Sequence, residues 1–132
     1  MREILFRGKR IDKNEWVEGD LIHLPNGIAI LANGYAYVIP ETVGQYTGLK
    51  DRKGKMIFEG DICRGKTSIY EIVSNEDKYG WYVKVIKSEC SLIEREMEFP
   101  LWHYDNCERN DYQLLEIIGN IHDNQELLEA ES

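Results

Sequence analysis

A pair of carboxylates separated by a single glycine occurs twice in this sequence, at Glu18-Gly19-Asp20 and at Glu59-Gly60-Asp61, with an offset of 41 residues. Side chains at i and i+2 project from the same face of a strand. Each pair could therefore serve acid–base catalysis or hold a hard metal ion. The alternative is structural, because glycine permits a sharp bend and the following Asp can accept backbone amide hydrogens in a turn. Since no histidine, third carboxylate or nucleophile lies at a suitable spacing near either copy, the sequence favours the structural interpretation.

Other residues that could do chemistry are present but poorly spaced. His103 and Cys107 lie four residues apart, whereas zinc needs about four such ligands, usually supplied as two close pairs. Ser68, Ser74, Ser88 and Ser91 lack the flanking glycines of the Gly-x-Ser-x-Gly motif that places a nucleophilic serine in hydrolases. The glycines form no phosphate-binding loop motif. The sequence therefore predicts no catalytic residue, no metal site and no cofactor.

A basic turn precedes each copy of the motif. The basic residues are Arg7, Lys9, Arg10 and Lys13 before the first copy, and Lys50, Arg52, Lys53 and Lys55 before the second. If the two turns are neighbours, they could bind the backbone of a single-stranded nucleic acid while Tyr35, Tyr37 or Tyr46 stacks on its bases. The alternative is a pair of solvated hairpin tips whose lysines keep strand edges from aggregating. The sequence favours this second interpretation.

The charge of the chain is distributed unevenly around a net value of −8. Residues 1–66 contain 11 Lys/Arg and 9 Asp/Glu, a net charge of +2. Residues 67–132 contain 5 Lys/Arg and 15 Asp/Glu, a net charge of −10. An acidic excess disfavours sequence-blind binding to phosphate backbones. A negative face for a basic host protein could be formed by Glu89, Glu94, Glu96, Glu98, Asp105, Glu108 and Asp111. The favoured alternative is a solvated surface that maintains solubility.

Strands must position most of these residues, because apolar and polar residues alternate along much of the chain. Turn signals such as Asn33-Gly34 recur at the spacing typical of a barrel or sandwich. Gly119 interrupts an apolar run and predicts a strand with a bulge, and the Asp123-x-x-Glu126 spacing predicts a helix over about 124–130. The predicted fold is mainly β: a small SH3-like or related barrel around 42–122, a β-hairpin sheet at 1–41 and a short C-terminal helix.

Length and composition indicate one domain, with 132 residues, 42% hydrophobic and 30% charged residues. We expect a first part at 1–41 and a second part at 42–132. No apolar run approaches the ~20 residues needed to cross a bilayer, and the charged start does not resemble a secretion signal. We therefore expect a cytoplasmic protein without membrane contact. Cys63, Cys90 and Cys107 lack a CxxC spacing and are expected to be reduced thiols.

Three segments resemble the YopX-like family of phage and prophage proteins. They are Arg2–Ile22, Glu116–Glu129 and Thr42–Ile62, the last reading TVGQYTGLKDRKGKMIFEGDI. The resemblance therefore extends over both ends and the middle of the chain. It implies a small phage or prophage accessory protein in the cytoplasm of a bacterial host. The resemblance assigns no catalytic residues to this chain, and it agrees with the interpretation of the fold as mainly β.

Two classes of function follow from these observations. The first is a non-enzymatic interaction module that binds a macromolecule, such as a protein of the phage or the host, with nucleic acid as a less favoured partner. Unpaired strand edges would also allow a homo-oligomer. The second class is an enzyme or a metal-binding protein, and it depends only on the repeated Glu/Asp pairs.

Overall fold

A computed structural model describes residues 3–101 and 115–129, which form two antiparallel β-sheets with almost no helix. The chain divides into two compact units, residues 1–48 and residues 49–132. No helix within the described ranges is long and apolar enough to cross a membrane.

The first unit is built from short strands that follow one another closely in sequence. They are β1 (Phe6–Lys9), β2 (Trp16–Leu24), β3 (Gly27–Leu31), β4 (Tyr35–Tyr37) and β5 (Gly44–Lys50), which ends beyond the unit boundary. They lie in the order β4-β3-β2-β1-β5. Asn33 and Gly34 both adopt positive φ angles in the loop that joins the antiparallel pair β3 and β4, which confirms the hairpin predicted from the Asn-Gly signal.

The sheet of the first unit curls back on itself. Beyond β4, the N–H of Ile39 donates to the carbonyl of Lys9 at 2.9 Å, and the N–H of Ile11 donates to the carbonyl of Tyr37 at 3.0 Å. Residues at the end of β1 therefore pair with residues at the end of β4. The curl buries Ile30, Ala36 and Val38, which share one face of the sheet.

The second unit contains a five-stranded sheet in the order β10-β9-β8-β7-β11. The five strands of this sheet are β7 (Asp61–Arg64), β8 (Ser68–Asn75), β9 (Gly80–Ser88), β10 (Glu98–Pro100) and β11 (Glu116–Asn120). A further short strand, β6 (Met56–Phe58), precedes β7 in the chain and is not part of this sheet. Side chains on β8 alternate between buried and partly exposed positions, as expected for a strand with one face on a core. That core consists of Ile57, Cys63, Tyr70, Ile72, Val83, Val85, Leu101 and Leu115.

The SH3-like or related barrel predicted around 42–122 is wrong to the extent that the described strands of the second unit do not close into a barrel. Strands β10 and β11 lie at opposite ends of the strand order, and each pairs with one neighbour in the part of the chain that the structure describes. Alternation of apolar and polar residues along a strand indicates that one face of the strand is buried. It does not indicate whether the last strand of a sheet pairs with the first. The mainly β class is confirmed, and so is the bulge at Gly119, where the register of β11 against β7 shifts.

The predicted C-terminal helix at 124–130 is also wrong, because only a single 3-10 turn forms at Gln125–Leu127. The side chain of Asn120 accepts the N–H groups of His122 and Asp123, both at 2.9 Å. Asn124 Oδ1 in turn accepts the N–H of Asn120 at 3.1 Å. These local side-chain bonds hold the chain in a turn at the place where the helix was expected to begin.

Candidate functional site

The first Glu-Gly-Asp copy lies inside β2, at the point where this strand changes its pairing partner. Residues 16–19 pair with β1, and residues 20–24 pair with β3. A Cβ atom at Gly19 would overlap the backbone carbonyl oxygen of Leu31, so only glycine fits without movement. Glu18 and Asp20 are both exposed. In this copy the glycine permits a close backbone approach, and the carboxylates face solvent.

The second copy forms the tight turn between β6 and β7. Gly60 has a φ of +93°, a conformation that favours glycine. Its N–H donates to the carbonyl of Ile72, and its carbonyl accepts the N–H of Ile121, both at 2.9 Å. Asp61 is buried, and its Oδ2 accepts the N–H of Phe58 at 2.8 Å. This Asp is therefore occupied by the backbone of its own turn.

The four repeated carboxylates thus lie in different settings. Glu59, the remaining one, is half-buried and accepts a long hydrogen bond of 3.5 Å from the hydroxyl of Ser74. The two copies belong to different units. Among residues 3–101 and 115–129, no three His, Cys, Asp or Glu side chains group closely enough to hold a metal ion. His103 and Cys107 lie outside the described residues.

The basic residues of the first turn are engaged with neighbours in their own unit. The guanidinium of Arg7 lies 4.8 Å from the centroid of the Trp16 ring, and the ammonium of Lys9 lies 5.7 Å from it. Arg10 donates two hydrogen bonds of 2.9 Å to the carboxylate of Asp12, which lowers the pKa of Asp12. Lys13 is exposed. Much of the positive charge of this turn is therefore locally satisfied.

The second basic turn is organised by Asp51, a residue whose role the sequence did not reveal. Its side chain is only 1% exposed. Oδ1 accepts the N–H groups of Lys53 and Lys55 at 2.9 and 2.8 Å, and Oδ2 accepts the N–H of Ile117 at 3.0 Å. The carboxylate therefore closes the turn and fixes it to the start of β11.

The cations around Asp51 differ in how they are held. Lys53 forms an ion pair of 2.9 Å with Glu116, and Arg64 approaches the same carboxylate at 3.6 Å. These contacts lower the pKa of Glu116, with the Lys53 hydrogen bond as the main cause. Lys50, Arg52 and Lys55 have exposed side chains.

Tyrosines provide the largest exposed aromatic surface of the first unit. Tyr46 is only 6% exposed and is not accessible for base stacking, whereas Tyr35 and Tyr37 are 63% and 41% exposed. Tyr35 pairs across the sheet with Leu31, which is also exposed, so their side chains share a face with that of Tyr37. Ile11 is exposed and is bonded through its backbone to Tyr37. We refer to Ile11, Leu31, Tyr35 and Tyr37 as the aromatic patch.

One acidic residue borders the aromatic patch. Asp20 pairs directly with Leu31 and lies two residues from Glu18 on the same strand. Both carboxylates are exposed. The sequence pointed to the tyrosines but missed Leu31 and Ile11, because a strand pattern does not say which apolar residues the curl of the sheet leaves uncovered.

The acidic residues proposed for the second half are partly visible. Glu89, Glu94, Glu96 and Glu98 are exposed, and Glu98 accepts a hydrogen bond of 2.8 Å from the side chain of Asn75. The segment before β10 consists of turns, with a φ of +77° at Glu96. Asp105, Glu108 and Asp111 lie outside the described residues.

Glu71 supports a prediction about pH. It faces Lys84 across β8 and β9 at 4.0 Å, and burial raises its pKa above the ordinary value of 4.5 despite that lysine, with Glu96 adding to the rise. A carboxyl whose pKa is raised in the folded state stabilises the fold most when it is protonated. Its contribution to the free energy of unfolding is therefore lost as the pH rises through the raised pKa.

We expect Glu71→Gln to unfold at a higher urea concentration than wild type at pH 7, with a smaller difference at pH 4. A Glu76→Gln variant in an exposed turn is the control, and a Glu71→Gln variant less stable than wild type at pH 7 would show that the Lys84 attraction dominates instead.

The comparisons with known proteins agree with this architecture. A crystal structure of protein EF1440 from Enterococcus faecalis is similar to this chain, with 23% sequence identity and a TM-score of 0.52, covering 98% of this chain and 100% of that one. At this identity the likeness concerns the fold. No match was found among curated proteins. The model of the YopX protein family matches residues 5–129, nearly the whole length. This chain therefore belongs to the YopX protein family.

Proposed function

We propose that this protein is a non-enzymatic binding module that docks a partner protein on the aromatic patch of its first unit. The observation that carries the proposal is the grouping of exposed apolar side chains on the adjacent strands β3 and β4, next to the exposed Ile11, which lies in the turn after β1 and bonds through its backbone to Tyr37. Contiguous exposed apolar surface is typical of interaction sites, and tyrosine is enriched among the residues that dominate binding energy. The partner would be a protein of the phage or of its bacterial host.

The charges near the patch favour a protein over a nucleic acid. Asp20 lies beside Leu31 and is exposed, so a phosphate backbone laid across the patch would meet a carboxylate at its border. Arg10, which is close to Ile11, is already bound by Asp12. A partner surface with an apolar centre and flanking Lys or Arg side chains would complement both features.

A comparison of capture by three forms of the protein tests this proposal. We expect immobilised wild type to enrich a specific protein from host lysate, and the Tyr35→Ser/Tyr37→Ser variant to lose at least about tenfold in affinity for that protein once it is purified. Tyr79→Ser is the matched control, because Tyr79 is 93% exposed and lies in the second unit. Circular dichroism should show that all three forms are folded.

Two outcomes would contradict the proposal. One is equal affinity of the purified partner for wild type and the Tyr35→Ser/Tyr37→Ser variant. The other is tight binding of a fluorescent single-stranded oligonucleotide that the same variant weakens, because that result would make the patch a base-stacking surface.

A further inference from the structure

A groove in the second unit carries a different chemistry from the aromatic patch. It lies where the loop between β7 and β8 meets the end of β9, and its volume is about 380 Å³. Pockets that bind small ligands have volumes of about 300–1,000 Å³, so this groove is large enough for a small ligand. Three of the residues that line it are cationic, Arg64, Lys66 and Lys87, and one is acidic, Glu89.

These cations stand out from the charge of the surrounding chain. The second unit, residues 49–132, contains 11 Lys/Arg and 18 Asp/Glu, a net charge of −7, yet the groove lining has two more positive than negative groups. Within residues 3–101 and 115–129, Lys66 and Lys87 form no ion pair, and Arg64 shares Glu116 with the closer Lys53. Three like charges around one groove repel one another, and an anion bound between them would relieve that repulsion.

Hydroxyl groups and a fixed backbone complete the wall of the groove. Ser68 and Ser88 are partners in the register of β8 and β9, and the hydroxyl of Ser68 donates to that of Ser88 at 2.6 Å. The N–H of Gly65 donates to the carbonyl of Ser68 at 2.9 Å, and the N–H of Glu89 donates to the carbonyl of Thr67 at 2.8 Å. The loop that carries Lys66 is therefore held in place before any ligand arrives, which reduces the ordering needed on binding.

From this arrangement we infer that the groove binds a small phosphate-bearing ligand of about the size of a mononucleotide. The ammonium groups of Lys66 and Lys87 and the guanidinium of Arg64 would contact the phosphate oxygens, since cationic donors form the stronger hydrogen bonds to phosphate. The hydroxyl of Thr67 would add a neutral donor. Glu89 disfavours further negative charge and would limit the ligand to few phosphates.

Calorimetric titration of the full chain with adenosine 5′-monophosphate tests the inference. We expect binding that weakens about tenfold in Lys66→Gln/Lys87→Gln, because each lost cation removes a charge-assisted contact. Lys50→Gln/Lys55→Gln is the matched control: it removes the same charge from two exposed lysines outside the groove and should bind as wild type does. Displacement by inorganic phosphate would support recognition of the phosphate itself.

Three results would overturn the inference. The first is no heat of binding at millimolar nucleotide. The second is equal binding of adenosine, which lacks the phosphate, or equal loss of affinity in both double variants. The third is much tighter binding of a single-stranded oligonucleotide that depends on Lys66 and Lys87, since the groove would then bind a polymer rather than a small ligand.

Discussion

Replacing Asp51 by alanine is expected to reduce the free energy of unfolding by about 4 kcal/mol, the largest effect we predict. Its carboxylate accepts three backbone N–H groups, from Lys53, Lys55 and Ile117. Alanine removes every one of these acceptors from a side-chain position that is buried. Each buried amide N–H that is left without a hydrogen-bond acceptor reduces the free energy of unfolding by about 1–3 kcal/mol. Urea unfolding at neutral pH measures the loss.

Two further variants make the Asp51 prediction specific. Asp51→Asn keeps one acceptor oxygen but places an amide group where the second oxygen stood, so we expect an intermediate loss of about 2 kcal/mol. Asp77→Ala removes the same side chain from an exposed turn and should change stability by no more than about 0.5 kcal/mol. If Asp51→Ala is no less stable than Asp77→Ala, the turn does not depend on this carboxylate.

The second large effect is expected for Gly19→Ala, with a loss of about 3 kcal/mol. The added Cβ would overlap the carbonyl oxygen of Leu31, which belongs to the neighbouring strand and cannot rotate away. The overlap would disturb β2 where it passes from pairing with β1 to pairing with β3. Thermal and urea unfolding of the purified variant measure the loss.

Gly80→Ala is the control for this effect. A Cβ at Gly80 would come no closer than 3.8 Å to its nearest neighbours, and the backbone φ there is not in the left-handed region. We expect Gly80→Ala to stay within about 1 kcal/mol of wild type. Equal stability of the two alanine variants would mean that the corner of β2 relaxes easily and that Gly19 is not required there.

Local signals in the sequence predicted local structure well. Asn33-Gly34 marks the connection between β3 and β4, and Gly119 marks the bulge in β11, because each conformation depends on the φ freedom or small size of one residue. The failure at 124–130 has the same local origin. A helix-start spacing was present, but the side chains of Asn120 and Asn124 form competing bonds to the backbone.

Contacts between residues that are far apart in the sequence could not be predicted from local signals. Asp51 and Ile117 are 66 residues apart, and nothing in the spacing of either one indicates that a carboxylate and an amide meet. The same reason explains the missed groove, whose cations come from β7, from the loop after it and from β9. The two copies of Glu-Gly-Asp are alike in sequence, yet one lies within a strand and the other in a turn, because strand pairing around each copy differs.

The central claim is that partner binding takes place on the aromatic patch of the first unit. Hydrogen–deuterium exchange of the protein with and without its purified protein partner tests it most directly, since slowed exchange reports which backbone amides the complex protects. We predict slower exchange in residues 28–37, which carry three of the four patch residues, and little change in residues 61–75. Protection confined to the second unit, with residues 28–37 exchanging as in the free protein, would contradict the claim.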